Sequence, residues 1–247
     1  MNLADFIDST YLKTPEQSGM SEAETKAAVY ALADEAVANQ LYAVMIRPEY
    51  VKEIKTYLND KQSKVKVGTV IGFHEGTAST EEKLAEARKA IEDGADDLDF
   101  VINYEAYKDG KEEVVKEEFL QCTELGIKNG KTVKWIIEIA ALTDDQISAI
   151  SASIAAWAGE RFTEAEQREI FIKSSTGFYK TKEGQPNGAT VHGITLMKAS
   201  SGNLPIKAAG GVRSQKEAEE MIALGVTRIG TSSAAALMQG QQNLGGY

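Results

Sequence analysis

Apolar residues gather along the chain into eight short runs with β character: Phe6 to Thr10, Leu41 to Ile46, Val65 to Phe73, Asp97 to Asn103, Thr132 to Ile139, Glu169 to Ser174, Pro205 to Ala209 and Val226 to Thr231. Several are nearly continuous rather than alternating, the pattern of parallel strands covered on both faces. Amphipathic stretches of helix length lie between them, among them Ser21 to Asn39, Thr80 to Asp93 and Ser214 to Leu224. Ser21 followed by Glu24, and Ser79 followed by Glu82, have the spacing of a capping box. Strand and helix alternate without a Pro/Gly-rich linker, which predicts an α/β protein built as a single (β/α)8 TIM barrel over residues 1–247. An open doubly wound sheet is the second candidate, but no Gly-x-Gly-x-x-Gly turn follows the first strand.

Two segments depart from this rhythm. Tyr179 to Gly188 is polar and rich in turn formers, so it is expected as an exposed loop after the sixth strand, on the face where barrels carry their active sites. The tail from Gly240 to Tyr247 has little structural propensity and is expected to be mobile.

Composition narrows the function. At 247 residues and 43% hydrophobic content, the chain can fill one sizeable core. A formal charge of −10 argues against nucleic acid as a partner, because phosphate-backbone binding needs a basic face. No run approaches the length of a membrane span, and the first residues do not read as a signal peptide. The lone cysteine, Cys122, excludes an intrachain disulfide and agrees with a reducing, cytoplasmic setting. Two histidines, His74 and His192, argue against a histidine-rich metal site.

The chemistry begins with a lysine inside an apolar strand. In Phe171-Ile-Lys173-Ser-Ser-Thr-Gly177 an amine is followed at once by a polar, glycine-ended turn. An ammonium inside a protein must be paired, or deprotonated for chemistry; otherwise Lys173 is not truly inside. Lys134 and Lys207 occupy similar positions on the fifth and seventh strands. Each alone could be an outward amine whose stem lies along a helix, but neighbouring barrel strands would let all three converge near the C-terminal mouth. Neighbouring ammonium groups disfavour each other's charge and burial adds to the effect, so one amine can be neutral and nucleophilic, as Schiff-base chemistry requires. Asp99, on the fourth strand and on the same face as Asp97, is the candidate carboxylate, either as a proton shuttle or as a structural partner for a buried lysine. Glycine turns at Ser175-Thr-Gly177, Ala209-Gly-Gly-Val-Arg213 and Ile229-Gly-Thr-Ser-Ser233 could direct backbone N–H groups at a phosphate, with Ser232 and Ser233 as hydroxyl donors or helix caps.

The ordered set Asp8-Ser-Thr-Tyr-Leu12, Val70-Ile-Gly-Phe73, Leu98-Asp-Phe-Val101, Lys134-Trp-Ile-Ile-Glu138, Ile172-Lys-Ser-Ser-Thr-Gly-Phe178, Ile206-Lys-Ala-Ala-Gly-Gly-Val-Arg213 and Ile229-Gly-Thr-Ser-Ser233 closely resembles the deoxyribose-phosphate aldolase family over nearly the whole chain. The resemblance implies a class I, Schiff-base-forming aldolase with no metal and no cofactor, whose partners are a small phosphorylated sugar and acetaldehyde. It further implies Lys173 as the Schiff-base lysine, Lys207 as the lysine that perturbs it, and Asp99 as the proton relay. By the same resemblance Thr10 and Lys134 border substrate hydroxyls, Thr176 lies beside the imine, and Gly177, Gly210, Gly211, Gly230, Ser232 and Ser233 hold the phosphate. Tyr247 is either a proton-transfer residue or simply a disordered terminus, and a homodimer is suggested.

Three features depart from the family pattern: Gly72-Phe-His-Glu-Gly76 lacks the usual proline, Ile139-Ala140 replaces Thr-Gly after Glu138, and the loop Tyr179 to Gly188 is more charged than usual. Met45 stands where many relatives carry cysteine, and its thioether would either remove a thiol that enals can alkylate or simply pack. The alternatives are another lysine-dependent barrel aldolase, for a keto-acid or a ketose phosphate, and a phosphate-binding paralogue without turnover.

Overall fold

The computed structural model describes residues 2–240. All eight runs form strands: β1 (Ile7–Tyr11), β2 (Ala43–Ile46), β3 (Lys66–Ile71), β4 (Asp97–Val101), β5 (Thr132–Ile136), β6 (Ile170–Lys173), β7 (Ile206–Ala209) and β8 (Arg228–Thr231). They are parallel, neighbours in sequence pair in space, and β1 pairs with β8, with Asp8 opposite Gly230, so the sheet closes into a barrel. That closing pair excludes the open sheet. The expected runs were longer than the strands at most ends, because residues such as Ile102 and Ile137 continue the apolar pattern into the turns at the barrel rim.

Local signals explain the helices. Ser21 and Ser79 cap Glu22–Ala38 and Thr80–Glu92 with the reciprocal bonds to Glu24 and Glu82 that their spacing predicts. Ser214 and Thr143 do the same for Gln215–Ala223 and Asp144–Arg161. Each box satisfies two backbone or side-chain donors at a helix start, contributing about 1 kcal/mol. None of the helices among the described residues is long and apolar enough to cross a membrane.

The strands sort their side chains by chemistry. In β4, Leu98 and Phe100 turn outward to the helices, whereas Asp97 and Asp99 turn into the barrel. In β5, Trp135 turns outward, stacks on Phe100 at a 5.0 Å centroid distance, and donates its indole N–H to Thr123, while Lys134 turns inward. The apolar core is therefore mainly the layer between sheet and helices, and the barrel interior carries charge. This is why the strands look continuously buried while a charged residue interrupts them.

A second buried lysine system lies outside the barrel and steadies its rim. Lys83, fully buried, pairs with Glu118 and donates to the carbonyls of Gly76 at 2.7 Å and Val101 at 2.8 Å. It thus ties the loop after β3 to the end of β4.

Candidate active site

Three lysines and three aspartates meet inside the barrel. Asp99 Oδ1 accepts from Lys134 at 2.8 Å, and Asp99 Oδ2 accepts from both Lys173 at 2.8 Å and Lys207 at 3.0 Å. Lys134 also donates to Asp97 at 2.8 Å, and the Lys207 amine lies 2.6 Å from Asp8 Oδ2 as a charge contact. Strand register builds the cluster: Asp99 lies opposite Lys134, and Lys173 opposite Lys207. Alternation then aims all four inward. Each of the six is buried, Lys173 being the most accessible at 3%.

Counting carboxylates separates the amines. Lys134 sits between two, and although burial works to lower it, Asp97, Asp99 and Asp8 outweigh burial and hold its amine above the ordinary lysine range. Lys173 touches one, which it shares. Burial pushes its amine down to about 8, the Lys207 and Lys134 charges push the same way, and Asp99 opposes them. Burial works to raise Asp99, but the charges of Lys134, Lys173 and Lys207 hold it well below the usual carboxylate range. A carboxylate thus lies against an amine that gives up its proton more readily than an ordinary lysine.

Above this layer opens a small cavity. Lys173, Thr176 and Thr10 form one part of its wall, and Gly177, Gly210, Gly211, Gly230, Ser232 and Ser233 another. Gly177, Gly210 and Gly211 have φ between +74° and +82°, a conformation that favours glycine. Gly230 is needed for a different reason, since a Cβ there would stand 3.1 Å from Lys207 Cε. The Ser233 side chain makes no cap bond to the helix Ala234–Met238, and its buried hydroxyl has no hydrogen-bond partner among the described residues. Of its two sequence readings, helix cap is therefore absent in this structure.

Not every implied residue reaches the wall. Lys134, Lys207 and Asp99 lie beneath it, fully buried, so Lys134 has no surface facing the cavity with which to border a substrate hydroxyl directly. Thr10 does face it, with its own hydroxyl donating to the Asp8 carbonyl at 2.9 Å. Tyr247 and most of the expected mobile tail lie outside the described residues.

Sequence reading passed over three contributors. Asp8 precedes Thr10 by two on β1 and so shares its inward face, a signal present in Ile7-Asp-Ser-Thr10. Asn187 faces the cavity and donates to the Gly177 carbonyl at 3.0 Å, so the loop Tyr179 to Gly188 holds the glycine turn as well as covering it. Glu138, an acid ending an apolar run, accepts from Thr176. The departures also have places here. His74 stacks on Phe178 and Phe73 meets the same ring edge-on, so the turn without its proline packs against the turn that follows Lys173.

A closed eight-stranded barrel holds a lysine–carboxylate network beneath a glycine-walled mouth, an arrangement of the class of barrels that keep their active sites at that end. Residues 11–240 match the model of the DeoC/LacD family aldolases, and the chain belongs to that family. It is 40% identical to the deoxyribose-phosphate aldolase of Thermococcus gammatolerans, over 98% of each chain. Among solved structures it is similar to QR15, an aldolase, with a TM-score of 0.78 and 32% identity over 97% of this chain and 95% of that one. It is also similar to the deoxyribose phosphate aldolase of Aeropyrum pernix, which has a unique tetrameric structure, with a TM-score of 0.77 and 28% identity over 96% of this chain and 89% of that one.

Proposed function

We propose that the protein is a class I aldolase that cleaves 2-deoxy-D-ribose 5-phosphate reversibly to D-glyceraldehyde 3-phosphate and acetaldehyde, through a Schiff base on Lys173. The observation that carries this reading is the single carboxylate oxygen, Asp99 Oδ2, shared by the Lys173 and Lys207 amines on the floor of a cavity walled by glycine turns. The names of relatives such as that of Thermococcus gammatolerans support the substrate.

In the direction of synthesis, the neutral Lys173 amine adds to the carbonyl carbon of acetaldehyde, giving a carbinolamine. Loss of hydroxide as water, with a proton delivered through the Asp99–Lys207 pair, leaves an iminium. Removal of a proton from its α-carbon sends that C–H pair into a carbon–carbon double bond and neutralises the nitrogen as an enamine. The enamine carbon then attacks the aldehyde carbon of glyceraldehyde 3-phosphate, whose oxygen takes up a proton, and water releases the product from Lys173. Asp99 is suited to relay protons because its two oxygens touch all three amines. The glycine turns are suited to the phosphate because their backbone leaves N–H groups free of side-chain bulk. A cytoplasmic location and pairing into homodimers complete the reading, supported by the lone buried Cys122 and by the family resemblance.

Borohydride reduction in the presence of acetaldehyde tests it. An N-ethyl group confined to the peptide containing Lys173 is expected, together with cleavage of the deoxysugar phosphate. No adduct at neutral pH would leave the phosphate-binding paralogue, and an adduct without deoxysugar cleavage would leave an aldolase for a keto-acid or ketose phosphate.

A further inference from the structure

Glu138 lies just past the end of β5, fully buried, and none of the steps above uses it. Its φ of +55° puts a non-glycine residue in the left-handed region, which L side chains disfavour. Neighbouring bonds hold it there: Ala141 N–H donates to the Glu138 carbonyl at 2.9 Å, and Ile139 N–H donates to the Ser174 carbonyl at 2.9 Å. The result aims the carboxyl at the turn that follows Lys173. Oε2 accepts from the Thr176 backbone N–H at 3.1 Å and from the Thr176 hydroxyl. Oε1 is buried and has no hydrogen-bond partner among the described residues.

These bonds decide what Thr176 can offer. Its hydroxyl proton is committed to Glu138, and one oxygen lone pair takes the Phe178 N–H at 3.0 Å. The remaining lone pair can only accept, and Thr176 stands on the cavity wall with Lys173. We propose that Glu138 is the positioning residue of this turn, holding Thr176 so that its oxygen accepts a hydrogen bond from a substrate hydroxyl beside the Lys173 imine. The proposal rests on the aldolase reading above.

The charge state of Glu138 controls that arrangement. Once protonated, the carboxyl can donate to the Thr176 oxygen, which frees the threonine proton and turns an acceptor into a donor. Two titratable groups among the described residues act with Glu138 across its surroundings, Lys173 from β6 and Tyr104 from the helix Tyr104–Lys108. Burial pushes the Glu138 carboxyl up to about 7, against the Thr176 bonds and the Lys173 charge, so the switch falls near neutral pH.

The test is the pH profile of kcat/KM for deoxyribose phosphate cleavage, read beside borohydride trapping at Lys173. In the wild type, both the Lys173 amine and Glu138 must be deprotonated, so below about pH 7 kcat/KM should fall roughly a hundredfold per pH unit. Glu138→Gln can still accept from Thr176 but does not titrate, and its profile should fall only about tenfold per unit. Thr176→Val, with Glu138 intact, should show the same shallower slope, and it decides the matter if Glu138→Gln does not fold. A tenfold slope in the wild type, or a hundredfold slope in the variants, would overturn the positioning role while leaving the Lys173 adduct in place. Absence of the adduct in the wild type would overturn the aldolase reading and the positioning role with it.

Discussion

The two halves of the barrel interior use the same residue types to opposite ends. On the β4–β5 side, Lys134 is held between Asp97 and Asp99, one carboxylate to each side of the amine. On the β6–β7 side, two amines share one oxygen of Asp99, and only Lys207 has a second carboxylate, Asp8. All three lysines are buried, so burial alone cannot distinguish them. What differs is the number of anions each can call its own. Surplus negative charge keeps Lys134 an ammonium, whereas a shared carboxylate lets burial win at Lys173 and bring it down to about 8. The proton affinity of each amine here follows from the ratio of carboxylates to amines around it.

The sharpest way to break that comparison is at the carboxylate both halves share. Asp99→Asn keeps the shape but leaves three amines around a neutral amide. Turnover should fall by about 10²–10⁴ through loss of the relay, and unfolding in urea should show a loss of about 3–5 kcal/mol from uncompensated buried charge. A variant as active as the parent would remove Asp99 from the chemistry.

Removing one cation from each half sharpens the contrast. Lys134→Met strands Asp97, and Lys207→Met strands Asp8, so each should cost about 3–5 kcal/mol in denaturant unfolding. Their pH profiles should differ. The Lys207 charge is the stronger of the two in lowering Lys173, so Lys207→Met should carry the acid limb of kcat/KM further toward alkaline pH than Lys134→Met does. Equal displacement of the limb would show that the two halves are not distinct. Stability of the parent should also depend on pH with a definite sign. The folded Lys173 loses its proton near 8 and the unfolded one near 10.5, so between those values the unfolded chain binds more protons and stability rises with pH.

The smallest effect concerns packing beside the network. Met45 on β2 is buried, and Gly68 on β3 leaves the space its thioether occupies, since a Cβ at Gly68 would stand 2.3 Å from Met45 Sδ. Met45→Cys opens a void there and should cost about 1–2 kcal/mol by thermal or urea unfolding. Acetaldehyde inactivation of the same pair of proteins measures the second consequence, and equal rates would mean that the thioether protects nothing.

Much of this was legible before folding because it is local. A capping box needs four residues, and both Ser21–Glu24 and Ser79–Glu82 form as their spacing predicts. Inward aim along a strand needs only alternation, which put Asp97 and Asp99 on one face. Asp8 carried the same kind of signal through Thr10, but one acid on one short strand has no meaning until β1 is known to pair with β8 and so bring Asp8 to Lys207 of β7 inside a closed barrel. Glu138 was harder to see. Its role depends on a left-handed backbone at the end of β5 meeting a turn 38 residues later, and no local pattern encodes that.

Sequence by itself thus determined the eight strands, the helices between them, the lysines in the strands and the glycines in the late turns. Periodicity, capping and backbone freedom act over a few residues and need no partner. Only tertiary structure set the electrostatic surroundings that lower one amine and raise another. Lys134, Lys173 and Lys207 read alike in the chain, each a lysine in an apolar strand, and they become different only when closure of the barrel assigns Lys134 two carboxylates and makes Lys173 share one. Charge interactions at about 3 Å in a buried lumen set the pKa of an amine, and those distances exist only in the folded barrel.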